Sequence, residues 1–266
     1  MVEQLYHNPD IYRIYVPLPD NPLKYLNCYV LVSDGETLII DTGFNRPECK
    51  QALFDGLDEL QVDFAHTKLF LTHLHGDHSG LTEELTTRGV PVFMNAIDYD
   101  YLCQELASGG WQAMEQIFLI EGFPMEEIEK QKKGNQARLY SPHHPFPASK
   151  VSDNDLLTVG GITLRCIHTP GHTPGHTCLY IEDKEILFSG DHILFDITPN
   201  ISVWRNIPYS LADYLESLQK IKGLKVSHTK ETAENRYRAL CHSSDLFFYS
   251  RRFSDDDFCE HVTHYA

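Results

Sequence analysis

The sequence lacks any long apolar run. No stretch of its 266 residues approaches the roughly eighteen consecutive apolar positions that a membrane-spanning helix needs. The opening residues Met1–Gln4 also lack the basic and apolar regions of a secretory signal. We therefore expect a cytoplasmic protein that has no membrane partner.

Closely spaced cysteine pairs are missing as well. The seven cysteines are scattered along the chain, are odd in number and form no Cys-x-x-Cys motif. This pattern argues against a disulfide framework and against a thiolate zinc knuckle. We expect the cysteines to be reduced and mainly structural.

Positive charge is scarce. The chain has 22 lysines and arginines against 38 acidic residues, which gives a formal net charge of −16 at pH 7. Binding to a phosphate backbone normally requires a basic surface, so nucleic acid is not an expected partner. A small neutral or weakly charged substrate fits this balance better, and homodimer formation stays open.

Histidine, in contrast, is concentrated in the stretch Phe70–Gly80, which reads FLTHLHGDHSG. Three histidines and one aspartate share six consecutive positions there, between a predicted apolar strand and a predicted helix start. Neutral imidazoles and a carboxylate suit zinc or iron, and a loop can bring them together without helical spacing. One ion would take His73 and His75. A second ion would take Asp77 and His78.

Two further fragments continue this pattern: Thr169–His176, TPGHTPGH, and Phe188–His192, FSGDH. Together with the first stretch they resemble the metallo-β-lactamase superfamily, and more specifically its glyoxalase II-like and lactonase-like members. The resemblance covers roughly residues 11–221. It implies that seven residues bind metal: His73, His75, Asp77, His78, His172, Asp191 and His228. His176 and His192 are next to these motifs, and we assign both to hydrogen bonding within their loops.

The last of these ligands is the weakest match. The superfamily usually follows the helix predicted here at Leu211–Ile221 with a strand and a Pro-Gly-His-Gly-like turn. The corresponding segment Leu224–Thr229 reads LKVSHT, with a lysine in the strand and no Pro-Gly. His228 has the expected place after the helix, so we predict that it completes the second metal site.

Asp41 follows a predicted hairpin whose turn is Ser33–Gly35. One interpretation is that Asp41 caps its own turn. In the superfamily the aspartate of Asp-Thr-Gly supports the metal site from behind the ligands, and a carboxylate that orients a ligand histidine is a common requirement. We predict that Asp41 supports the site and does not ligate.

The resemblance also implies the architecture, an α/β four-layer αββα sandwich with the site on one rim between two sheets. We predict a single domain over residues 1–266, with a helical insertion at about 96–147 and a C-terminal cap at about 229–266. The insertion carries several aromatic residues, which either pack its own helices or wall a substrate pocket: Tyr99, Tyr101, Trp111, Phe118 and Phe123.

The implied activity is hydrolysis that depends on two divalent metal ions, with zinc expected first and iron or manganese as alternatives. A hydroxide that bridges the ions would attack a small ester, thioester or lactone, and Asp77 and Asp191 would be the catalytic carboxylates. Two other classes stay open. One is a non-haem iron oxidoreductase of the same superfamily, and the other is a noncatalytic metal-binding protein whose second site is incomplete.

Overall fold

The computed structural model describes residues 1–108, 115–116, 118–195, 197–202, 204 and 206–231. Within this part of the chain, the first sheet has seven strands in chain order. Strands β1 to β4 are antiparallel to their neighbours, whereas β4 to β7 run parallel. The strands are β1 Val2–Tyr6, β2 Asp10–Pro17, β3 Tyr25–Ser33, β4 Glu36–Ile40, β5 Thr67–Leu71, β6 Val92–Asn95 and β7 Ser149–Val151.

The second sheet has five described strands in the order β12-β11-β10-β9-β8. All neighbours are antiparallel except β12, which runs parallel to β11. The strands are β8 Leu156–Val159, β9 Ile162–His168, β10 Thr177–Ile181, β11 Ile186–Gly190 and β12 His228–Glu231.

The α-helices whose bounds the structure gives connect or cover these strands. They are α1 Pro47–Glu59, α2 Gly76–Ser79, α3 Thr82–Thr86, α4 Ala96–Ser108, α5 Met125–Gly134, α6 Gln136–Tyr140 and α7 Ser210–Lys222. Helix α1 illustrates how the sequence forms them: Pro47 occupies the first turn, where it removes no hydrogen bond, and Leu53 and Leu57 bury one face. Across the described residues, every helix is too short or too polar to cross a bilayer.

The core forms three apolar layers. Between the sheets, Phe70 of the first sheet packs in one cluster with Phe188 of the second. Leu53 of α1 belongs to the cluster on the outer face of the first sheet. Ile221 of α7 packs with Leu187 on the outer face of the second sheet. Helices therefore cover both outer faces, and the predicted α/β fold of four αββα layers is confirmed.

Some elements differ from the sequence prediction. Strand β1 is not predicted by the sequence pattern, because this five-residue edge strand has no clear apolar alternation. Pro91 directly precedes β6 and so lies at the start of a strand, and β6 itself lies between β5 and β7. Residues 229–231 of the predicted cap belong to β12. The rest of the cap lies outside the described residues, and the single-domain and insertion boundaries stay predictions.

Candidate metal centre

Apart from His228, the predicted ligands lie where the chain leaves both sheets at one rim, with Asp77 and His78 in the short helix α2 and not in a loop. His73 follows the end of β5, His172 lies in the loop from β9 to β10, and Asp191 follows β11. The peptide N–H of Thr177 donates to the carbonyl oxygen of Thr72 at 2.9 Å, which joins the start of β10 to the end of β5. This hydrogen bond fixes the two sheets against each other beside the histidines.

Three imidazoles form the first potential ligand group. One nitrogen from each of His73, His75 and His172 lies within 4.8 Å of the others. The closest pair is Nε2 of His73 and Nδ1 of His75, at 3.0 Å. Burial, and next the neighbouring histidines, lower the pKa of both rings well below the usual value. The rings are therefore neutral at pH 7, which is the form that binds metal.

His172 shows how the chain prepares a ligand atom. Its Nδ1 lies 2.6 Å from the carbonyl oxygen of Asn200, so Nδ1 carries the proton and donates it. The lone pair is then on Nε2, which is buried and has no hydrogen-bond partner among the described residues. A buried acceptor without a partner costs free energy, and a metal ion would satisfy it. The first group therefore fits a metal ion by its donor set.

Asp191 lies between the first group and a second one. Its Oδ2 is 3.4 Å from Nε2 of His172, and its Oδ1 is 3.5 Å from Nε2 of His78. Asp77 reaches the same His78 nitrogen from another side, with its Oδ2 at 3.8 Å. The second group thus combines one imidazole with two carboxylates. Six of the seven predicted ligands lie around one point of the rim.

Asp41 lies directly behind His78. Its Oδ2 is 2.9 Å from Nδ1 of His78, and the two oxygens also accept the peptide N–H and the hydroxyl of Thr72, each at 2.8 Å. Asp41 is fully buried and has φ of 62°, a conformation that aspartate tolerates better than most residues. This is the position that the predicted supporting role requires.

The carboxylates balance the electrostatics of the second group. Burial lowers the pKa of His78, but the nearby charges of Asp191, Asp41 and Asp77 outweigh this effect and raise it well above the usual value. Burial raises the pKa of Asp77. Negative charge that is buried without a positive partner is costly, and a bound divalent cation would compensate the charge of these carboxylates.

The profile of the metallo-beta-lactamase superfamily matches residues 22–227. The chain belongs to this superfamily. A metallo-beta-lactamase family protein from Thermus thermophilus has a similar structure, with a TM-score of 0.75 and 28% identity over 91% of this chain and 79% of that one. A subclass B3 metallo-beta-lactamase of Bradyrhizobium japonicum shares the fold at a TM-score of 0.60 and 19% identity, covering 98% of this chain and 94% of that one.

Curated relatives are similar over most of this chain. An atrochrysone carboxyl ACP thioesterase from Emericella nidulans is 28% identical over 220 residues, which are 83% of this chain and 53% of the relative. A lactamase-like protein from an Aspergillus species is 26% identical over 79% of this chain and 53% of the relative. The chain thus spans about half the length of the curated relatives that it matches.

His228 corrects one assignment carried over from the superfamily. It begins β12 and pairs with Ile186 at the start of β11, whereas Asp191 follows the end of β11. At about 3.3 Å per strand residue, the four steps from Ile186 to Gly190 put roughly 13 Å between the level of His228 and the end of β11. The exposed His228 ring instead contacts Tyr6, with ring centroids 5.4 Å apart. The structure therefore does not bring His228 to the other predicted ligands, because His228 begins strand β12, whereas the sequence pattern placed it after the end of a strand.

His176 is near the metallo-β-lactamase ligands, but its ring bonds to its own surroundings. Its Nδ1 lies 2.8 Å from the hydroxyl of Thr169, and its Nε2 accepts the peptide N–H of Asp191 at 3.1 Å. The expectation of hydrogen bonding is confirmed for His176, but the described residues give neither ring nitrogen of His192 a hydrogen-bond partner. His176 thereby holds the backbone that presents the Asp191 carboxylate.

Two residues that touch the ligand loops were missed by the sequence reasoning. Asp98 accepts hydrogen bonds from both histidine-bearing loops. Trp204 stacks on His75, with ring centroids 6.0 Å apart and planes 27° from parallel, and its Nε1–H donates to the His172 carbonyl oxygen at 3.2 Å. In the sequence, Asp98 looks like an ordinary acidic residue in the first turn of a helix. No local pattern links either residue to the histidines.

Of the aromatic residues of the insertion, one has a packing role and another lies where it could form a wall of a substrate pocket. Tyr99 packs against Phe146 and donates its hydroxyl to the Phe146 carbonyl oxygen at 2.7 Å, so it is a structural residue. Tyr101 contacts Trp204 edge-on, with centroids 5.9 Å apart, and therefore lies next to the metal centre. Trp111 lies outside the described residues.

Proposed function

We propose that this protein is a metal-dependent hydrolase that holds two divalent ions, with zinc as the first candidate, and cleaves an acyl thioester, ester or lactone. The observation that carries this proposal is the position of Asp191. Its two oxygens face different ligand groups, one towards His172 at 3.4 Å and one towards His78 at 3.5 Å. A carboxylate in this position is suited to bridge two ions.

His73, His75 and His172 would hold one ion, and Asp77, His78 and Asp191 would hold the other. Divalent ions supply Lewis acidity towards a carbonyl oxygen and lower the pKa of water, so no side-chain nucleophile is needed. The first group offers three neutral nitrogens. The second offers one imidazole and two carboxylates, and it would share the Asp191 carboxylate with the first ion. We therefore expect the first ion to bind more tightly than the second.

Protein groups around the ions set their orientation. The Asn200 carbonyl oxygen fixes the proton of His172 on Nδ1, and Asp41 does the same for His78. In both rings this leaves Nε2 as the ligand atom. Trp204 covers one face of His75 and gives the rim an apolar wall next to the site.

The substrate class is argued from chemistry and from the relatives. Two relatives are named as thioesterases that act on an atrochrysone carboxyl ACP, and the chain matches about half of each. A thioester is therefore the first substrate class to test. The net charge of −16 would repel a nucleic-acid backbone, which favours a small acyl compound.

The test uses protein purified without added metal and then loaded with zinc, iron or manganese. Its turnover would be measured on a thioester, an oxygen ester and a lactone that carry the same acyl group. We expect up to two equivalents of metal and hydrolysis of at least one substrate. Asp191→Asn should lower turnover by at least about 100-fold, because it removes the bridging charge. The exposed Asp183→Asn is the matched control.

Other outcomes would replace the proposal. Oxygen consumption by the iron-loaded protein without hydrolysis would indicate an oxidoreductase. Tight metal binding without turnover of any substrate or oxygen would indicate a noncatalytic metal-binding protein.

A further inference from the structure

Asp98 is a buried carboxylate at the start of α4, outside the proposed ligand set. Its side chain is fully buried. One oxygen, Oδ2, accepts the peptide N–H of Leu74 at 3.0 Å and the hydroxyl of Thr173 at 2.6 Å. The other oxygen, Oδ1, accepts the peptide N–H of Gly175 at 2.5 Å. Three donors thus converge on one carboxylate, and such charge-assisted hydrogen bonds are among the stronger ones in proteins.

The three donors belong to the two loops that carry the histidines of the first group. Leu74 lies between His73 and His75 in the loop after β5 of the first sheet. Thr173 directly follows His172 in the loop between β9 and β10 of the second sheet. These loops are about a hundred residues apart in the chain, so Asp98 is a noncovalent link between them.

The packing at Gly175 independently shows that this contact is tight. A Cβ atom at Gly175 would lie 2.4 Å from the backbone nitrogen of Asp98, closer than real Cβ atoms approach backbone. Only glycine allows the second loop to approach the first turn of α4 so closely. The loop is therefore held against Asp98 by both hydrogen bonding and shape.

We infer that Asp98 is a positioning residue that sets the distance between His172 and the His73–His75 pair, and so sets the affinity of the first metal site. This role rests on the proposed metal centre, since Asp98 touches no ligand ring and acts through peptide groups beside the ligands. Ligands that are held in place before binding lose less conformational entropy when the ion binds. Loss of the link should therefore weaken metal binding while the two sheets remain folded.

Asp98→Asn is the principal test because it keeps the shape of the side chain. An amide has one acceptor oxygen, so its NH2 group must face either the Gly175 N–H or the Leu74 N–H, and one peptide donor loses its partner. Thr173→Val is a milder variant that removes one of the three donors. The matched control is Asp100→Asn in the same helix, where the carboxylate is about half exposed and pairs with Lys150 at 2.5 Å.

The readouts are cobalt(II) affinity by competition with a chelator, the visible spectrum of the bound cobalt, and the thermal unfolding midpoint of the metal-free protein. We expect Asp98→Asn to weaken cobalt binding by about 10 to 100-fold, as is typical when groups behind metal ligands are changed. Its cobalt spectrum should also change. Thr173→Val should give a smaller loss in the same direction, and Asp100→Asn should match the wild type.

A lower unfolding midpoint with unchanged cobalt affinity and spectrum in both Asp98→Asn and Thr173→Val would overturn the inference and leave Asp98 a purely structural residue. A wild-type protein that binds no cobalt would overturn the metal centre and this role together. Weakened cobalt binding in the variants, in a protein that hydrolyses none of the substrates, would support the role of Asp98 while the hydrolase proposal fails.

Discussion

The Oδ2 atom of Asp41 lies 2.9 Å from Nδ1 of His78, and both side chains are buried. This pair determines which nitrogen of His78 can bind a metal. The carboxylate is an acceptor only, so Nδ1 must carry a proton, and Nε2 is the nitrogen that can give up its proton and offer a lone pair to a metal ion. Nε2 is also the atom that faces Asp77 and Asp191. Asp41 therefore acts on the second metal site through the tautomer of one histidine.

Asp41→Asn should weaken the second ion about 10 to 100-fold and leave the first ion in place. If the amide oxygen accepts the Thr72 N–H, the NH2 group faces Nδ1 of His78, and His78 moves its proton to Nε2 to avoid two opposed donors. Metal content after dialysis against graded chelator would measure this. Asp34→Asn is the matched control, because Asp34 is exposed and also has positive φ. Retention of two equivalents at wild-type affinity would contradict the prediction.

Trp204 should contribute to holding the histidines of the first site. Its ring stacks on His75, and its Nε1–H donates to the carbonyl oxygen of His172. An aromatic contact is worth about 0.5–1.5 kcal/mol, which corresponds to about a 2 to 10-fold change in affinity. Trp204→Ala should weaken zinc binding by this amount.

Trp204→Phe separates the two contributions of that side chain, because it keeps a ring and removes the N–H. We expect its loss of zinc affinity to lie between those of the wild type and Trp204→Ala. Zinc competition with a chromogenic chelator measures all three proteins, and Tyr101→Phe controls for a change in the neighbouring aromatic residue. Unchanged affinity in Trp204→Ala would show that the ring only covers the site.

Much of this site can be predicted from local sequence because its ligands follow strands. A strand ending in Leu71 and a strand ending in Gly190 each deliver the next residues to the rim, so the sequence alone is enough to place His73 and Asp191 there. Short continuous apolar runs indicate such buried strands, and the ends of neighbouring strands share an edge. The convergence of the two histidine-bearing loops follows from the same principle.

Other features depend on tertiary pairing, which no short pattern encodes. The position of His228 is set by the register of β12 on β11, and a shift of a few residues moves a side chain from one end of the strand to the other. The roles of Asp98 and Trp204 arise because α4 and the chain around residue 204 meet the ligand loops in space. Their spacing from the histidines in sequence carries no sign of this contact.

Glu105 should make the stability of the protein depend on pH. Burial, with a smaller effect from the charge of Asp98, raises the pKa of Glu105 from 4.5 to about 7. Between about pH 4.5 and pH 7 the folded protein keeps the Glu105 proton, whereas the unfolded chain has released it. The free energy of unfolding therefore falls as the pH rises through this range. Glu105→Gln buries no ionised carboxylate at pH 8, so its free energy of unfolding at that pH should exceed that of the wild type by about 1–3 kcal/mol.

Urea unfolding of the wild type and Glu105→Gln at pH 5 and pH 8 would measure this difference. The gap between the two proteins should be larger at pH 8 than at pH 5. Glu59→Gln serves as the control, because Glu59 is exposed at the end of α1. An equal gap at both pH values would show that Glu105 does not titrate between them.

His228 gives the sharpest test of the corrected ligand set. Its exposed ring contacts Tyr6 at the far end of β11 from Asp191, so His228→Ala removes an edge contact and no ligand. We expect the variant to keep its metal content and to hydrolyse the proposed substrates within about twofold of wild-type turnover, as is usual for surface changes. His172→Ala is the matched substitution in the site and should lose metal. If His228→Ala instead lost the second ion as His172→Ala loses the first, β12 would have to shift its register to bring His228 to the rim.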